Sequence, residues 1–174
     1  MRFAMLKAIV IPVFALVLRC SAAQQSTVQK TEVLFICEHG NVKSLMAASY
    51  FNQLAHERSL PYRALARGTN PNSTTVPPAI INGLRADGID VSSFHPSRLR
   101  NSDISKSARI VAIGVELPPD ARQLAQSSLE EWTDVPSAAL SYAATQEALK
   151  THVAQLIDKL SDTAAHPSSR RTEK

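Results

Sequence analysis

The strongest constraint on this chain is a short join between two patterns. Val33-Leu34-Phe35-Ile36 is an unbroken apolar run of strand formers, Cys37 ends it, and a loop containing Gly40 leads into helical spacing from Lys43. A run without polar alternation predicts a strand buried on both faces. A buried strand feeding directly into a helix belongs to a parallel sheet covered by helices. Leu45, Ala48, Phe51 and Leu54 recur at helical spacing, so one face of the segment 43–58 can meet a core.

The alternation continues along the chain. Residues 62–66 predict a second strand, and Arg67-Gly68-Thr69-Asn70-Pro71-Asn72 reads as loop. Residues 78–87 predict a helix with Ile80, Ile81 and Leu84 inward and Gly88 as its stop. A turn-rich stretch with His95 and Pro96 follows, then residues 108–113 predict a third strand. Pro118 and Pro119 precede a short polar segment, residues 131–133 predict an edge strand, and residues 140–160 predict a long amphipathic helix. The expected fold is α/β, a three-layer sandwich with a central, mostly parallel four-stranded sheet and helices on both faces, spanning residues 32–160. A chain of 174 residues holds one such domain with a proper core, and residues 161–174 read as a disordered tail.

The N-terminus reads as an export signal, residues 1–23. Arg2 and Lys7 precede an apolar run over residues 8–18, and Ser21-Ala22-Ala23 offers small residues for cleavage before Gln24. The run is shorter than the ~20 residues a membrane span needs, so no stable span is expected after cleavage. Residues 24–31 read as a flexible leader. The expected location is exported, periplasmic or secreted. Acylation at Cys20 and retention of an uncleaved N-terminal anchor are the alternatives. Setting aside Arg2, Lys7 and Arg19 leaves 16 basic against 15 acidic side chains, and no basic stripe with interleaved aromatics exists to bind nucleic acid. Cleavage after Ala23 leaves Cys37 as the single thiol, so no internal disulfide can form. Histidine and cysteine are too few and too scattered for a metal site, and nothing calls for a cofactor.

Ligands of parallel sheets bind at the carboxyl ends of the strands, which is where Cys37 falls. Between a strand end and a helix start, loop N–H groups and the first-turn N–H groups of the helix can converge on one tetrahedral oxyanion. Gly40 permits the tight backbone, Asn41 can hydrogen-bond the loop to itself, Lys43 brings a cation, and Ser44 brings a hydroxyl able to donate to a thiolate. A thiolate at the floor of such a cradle is placed for in-line attack on phosphorus. Spacing alone leaves equal room for a buried, inert cysteine at a strand end.

The stretch 33–48 resembles the opening of the low-molecular-weight protein tyrosine phosphatases and the related thioredoxin-coupled arsenate reductases. These begin with a strand, a Cys-x5-Arg-Ser loop and a helix. Arg67-Gly68-Thr69, Gly88-Ile89-Asp90-Val91 and the strand at residues 109–113 resemble later landmarks of the family, so the likeness covers residues 32–160. It implies a phosphotyrosine-type phosphomonoester hydrolase with Cys37 as nucleophile and a phospho-cysteine intermediate. The loop residues Glu38, His39, Gly40, Asn41, Val42, Lys43 and Ser44 would hold the phosphoryl group. Asp134 would be the general acid. The implied partner is a phosphorylated protein or a small phosphomonoester.

Two departures stand out. Lys43 replaces the family's arginine, a point charge in place of a planar fork, and Val135 separates Asp134 from Pro136. An oxyanion- or phosphopeptide-binding module of the same fold is therefore the alternative, with Asp134 as a mere turn residue. Arsenate reduction is a third reading, but no cysteine follows Cys37 to resolve a disulfide. His39 fits either the entrance of the cradle or a loop surface, His95 a structural turn, and Trp132 either core packing or a substrate platform.

Overall fold

The computed structural model describes residues 31–165. The expected signal, most of the leader and the tail beyond residue 165 lie outside the described residues. The elements run β1 (Glu32–Cys37), α1 (Lys43–Glu57), β2 (Arg63–Gly68), α2 (Pro78–Ala86), α3 (Asn101–Lys106), β3 (Ser107–Ile113), α4 (Pro119–Ala125), β4 (Leu129–Trp132) and α5 (Tyr142–Ala165). The four strands form one sheet in the order β2-β1-β3-β4, and every pairing is parallel. The fold is the expected α/β sandwich.

Side chains alternate across a strand, and β1 separates two cores accordingly. Val33 and Phe35 pack with α1, α2 and α5, whereas Leu34 and Ile36 pack with Ile104 of α3 and with Ala121 and Ala125 of α4. All four β1 side chains are fully buried, each contributing roughly 1.5–3 kcal/mol relative to exposure. Phe35 joins the larger core to both of its neighbours, with ring centroids 5.8 Å from Phe51 and 5.6 Å from Trp132. Leu149, Val153, Leu156 and Leu160 form the buried stripe of α5. Among the described residues no helix is long and apolar enough to cross a membrane.

Several elements differ from expectation, β4 among them, at Leu129–Trp132 rather than 131–133. Gly68 is the last residue of β2 rather than loop, and it lies beside Cys37 in register. α3 and α4 occupy segments read as turn and polar stretch. Thr31 belongs to the ordered domain, since its carbonyl accepts the Arg63 N–H at 3.0 Å. α5 continues five residues beyond Leu160, whose buried side chain anchors its last turns.

Candidate active site

β1 delivers Cys37 to the carboxyl end of the sheet, and residues 38–42 turn back into α1. The thiol is 6% exposed. Its Sγ lies 3.1 Å from Ser44 Oγ and accepts the Gly40 N–H at 3.3 Å. Ser44 is fully buried in the first turn of α1. That helix starts without a side-chain cap and carries no acid in its first turn, so the positive end of its dipole is not offset from within.

Two glycines set the shape of the loop. Gly40 has φ +76, and a Cβ on it would stand 2.6 Å from the Gly68 nitrogen. A Cβ on Gly68 would stand 2.6 Å from the His39 carbonyl carbon. The loop and the end of β2 thus touch backbone to backbone, a distance only glycine permits. Thr69 N–H donates to the Cys37 carbonyl at 3.0 Å and Asn70 N–H to the Glu38 carbonyl at 2.7 Å. Asn41, 5% exposed, donates from Nδ2 to the Thr75 carbonyl at 3.3 Å. Its role is to tie the loop to the segment after β2.

A cavity of about 290 Å³ opens above the thiol. Cys37, Glu38, His39, Asn41, Val42 and Lys43 form one wall, and Ile113, Gly114, Ser137, Ala138 and Ala139 form the other. Lys43 Nζ donates to the Val135 carbonyl at 2.9 Å. Gly114, at φ +58, leaves space for that ammonium, since a Cβ there would lie 3.1 Å from Nζ.

The structure therefore brings together every loop residue singled out from the sequence. Asp134 is the exception, because it is not among the residues lining the cavity. Its carboxylate is 69% exposed and pairs with His152 Nε2 at 2.9 Å. The His152 ring in turn stacks on Trp132, 4.7 Å between centroids. Trp132 is buried and donates from Nε1 to Glu130, which makes it a packing residue. His95 lies outside the cavity, with Nδ1 3.3 Å from the Thr74 carbonyl oxygen. The sequence reading missed Gly68, Gly114 and the wall at residues 137–139. A glycine directly after the β3 run was a readable signal for the second, whereas Ser-Ala-Ala carries none.

Residues 32–164 match the low molecular weight phosphotyrosine protein phosphatase family. Among curated proteins none matches the sequence. Solved structures of similar fold include a low molecular weight protein tyrosine phosphatase from T. tengcongensis, 20% identical with TM-score 0.63 over 74% of this chain and 99% of that one. The YwlE arginine phosphatase from Geobacillus stearothermophilus is 19% identical with TM-score 0.63, over 78% and 97% of the two chains. An arsenate reductase in the phosphate binding state is 22% identical with TM-score 0.60, over 74% and 98%. With the match running from the first strand almost to the end of α5, this chain belongs to the low molecular weight phosphotyrosine protein phosphatase family, whose chemistry is phosphoester hydrolysis.

Proposed function

We propose that this chain hydrolyses phosphomonoesters, aryl phosphates of the phosphotyrosine type foremost, through the thiolate of Cys37. The observation that carries the reading is the Cys37 sulfur at the floor of the cradle, within 3.1 Å of Ser44 Oγ and 3.3 Å of the Gly40 nitrogen. Hydrogen bonds to sulfur stabilise the charged nucleophile. The uncapped start of α1 and the loop N–H groups then receive the phosphoryl oxygens. Sulfur attacks phosphorus, the ester oxygen leaves, and water cleaves the S–P bond in a second step.

Lys43 supplies charge but not a bidentate fork, and weaker oxyanion stabilisation of this sort costs about 10²–10³ in rate. Phosphate release from an aryl phosphate should vanish in Cys37→Ser and rise in Lys43→Arg. Release that survives Cys37→Ser contradicts the reading. A specific contact favours a second reading, an oxyanion- or phosphopeptide-binding module: the Lys43 ammonium already donates to the Val135 carbonyl. Tight phosphate binding by calorimetry, with turnover appearing only in Lys43→Arg, would select it. The N-terminal segment is proposed to direct export. Exported protein should begin at Gln24 by intact mass, and a chain beginning at Met1 would contradict cleavage.

A further inference from the structure

We propose that Glu38 selects the substrate, and that the substrate it selects is a phosphorylated polypeptide with a basic side chain beside the phosphorylated residue. The inference rests on the Cys37 reading above. Glu38 follows the nucleophile and lines the cavity that Cys37 floors. Its main chain is fixed, since its carbonyl accepts the Asn70 N–H at 2.7 Å and the Thr69 hydroxyl at 3.5 Å. Its side chain is 65% exposed, and the ion-pair contact it makes is with His39 Nε2 at 3.9 Å, longer than a hydrogen bond. Among the described residues that line the cavity, Glu38 is the one carboxylate. The opposite wall, Ile113, Gly114 and residues 137–139, carries no charge. The cations joined to this loop are directed elsewhere. Lys43 donates to the Val135 carbonyl, and Arg98 donates to the Thr69 carbonyl at 2.8 Å and to Asn70 Oδ1 at 3.4 Å.

A carboxylate on the wall of an oxyanion cradle repels a bare phosphoryl group. A cation on the substrate reverses the sign, because it pairs with the carboxylate while the phosphoryl group takes the loop N–H groups. An acidic side chain in the same place is rejected by like charge. The cation therefore belongs to the molecule that carries the phosphoryl group. A lysine or arginine next to a phosphotyrosine meets that requirement at the exposed Glu38 side chain, and a small phosphomonoester without a cation does not.

The test is a competition. The full chain, kept reduced, receives two phosphotyrosine peptides together, alike except that arginine flanks the phosphotyrosine in one and glutamate in the other. The ratio of their kcat/KM values does not depend on how much protein is folded. The native chain should favour the arginine peptide about fivefold at low salt, attraction and repulsion taken together, and the preference should shrink as salt screens exposed charges. Glu38→Gln should narrow the ratio toward one, and Glu38→Lys should reverse it. A native ratio near one, a preference for the glutamate peptide, or a ratio that Glu38→Gln leaves unchanged overturns the inference. So does turnover of a simple aryl phosphate with neither peptide dephosphorylated. Each of these results leaves the Cys37 reading standing. No turnover of any substrate, or turnover that survives Cys37→Ser, overturns both.

Discussion

The loop after β1 and the segment after β4 face each other across one cavity, and they are held by different means. The first is fastened through backbone. Gly40 and Gly68 touch main chain to main chain, and the Cys37 and Glu38 carbonyls accept N–H groups from residues 69 and 70. The second hangs on side chains. Lys43 holds the Val135 carbonyl, Thr145 holds the Pro136 carbonyl at 3.2 Å, and His152 holds Asp134. The Leu140 side chain is 89% exposed, and backbone bonds here are local, from the Leu140 and Ser141 N–H groups to the Ser137 carbonyl. Backbone contacts fix a cradle to within tenths of an ångström whatever side chains it carries. Side-chain tethers hold the far wall, where the exposed Asp134 carboxylate pairs with His152.

The sharpest way to break the contrast is Gly68→Ala. The new Cβ would meet His39 backbone that cannot move aside. A loss of about 3 kcal/mol is expected, read by chemical denaturation, together with loss of phosphate binding. A near-neutral result would mean that the backbone contact does not set the loop. Gly83→Ala acts away from the cavity, where α2 meets the start of α5. Its Cβ would fall 2.2 Å from the Tyr142 ring, but a ring can shift where backbone cannot. About 1–2 kcal/mol is expected, with phosphate binding retained.

His152→Ala should cost about 1 kcal/mol. It removes the stack on Trp132 and a hydrogen bond to the exposed Asp134 carboxylate, and such an exposed contact is worth little. If side-chain tethers position the far wall, KM for aryl phosphates should rise more than kcat falls. A change in kcat alone would contradict that.

The smallest effect concerns acid. Burial raises the Asp87 carboxyl, but hydrogen bonds from Tyr50 and Gln146 and the charge of Lys150 outweigh it and hold it below the usual carboxylate value. Such a group adds stability that is complete above its unfolded value, about 3.9, and is lost as pH falls through the lower folded value. This contact bridges α1, the end of α2 and α5, away from the cradle. Asp87→Asn should flatten the loss of stability on acidification below about pH 4. An unchanged acid limb would contradict it. Burial also raises the neighbouring Tyr50 hydroxyl, with help from Tyr142 and Asp87, so the hydroxyl stays a donor throughout this range.

The sequence displayed the fold wherever burial was continuous. β1, β3 and α1 carry long apolar signals, and their spacing set both the parallel sheet and the position of Cys37. α3 and α4 were hidden for a physical reason. α3 is six residues with one buried side chain, Ile104, and α4 buries only the small Ala121 and Ala125. Pro118 and Pro119 read as a break, yet a proline at the first helical position starts α4. Gly68 looked like loop because a glycine that accommodates a neighbouring backbone cannot be told from one that turns the chain. Within the site, the residues from Cys37 to Ser44 were legible because one local segment holds them all. The pairing of Asp134 with His152 was not legible, because His152 lies 18 positions away on α5 and no local pattern announces that contact.

The central claim is that Cys37 takes the phosphoryl group. The most direct test mixes the chain with an aryl phosphate, quenches in acid within the first turnover, and locates added phosphoryl mass by peptide mass spectrometry. One phosphoryl group on the peptide containing Cys37, absent in Cys37→Ser, is the predicted result. Released phosphate with no adduct on that peptide, at the same yield in Cys37→Ser, would contradict it.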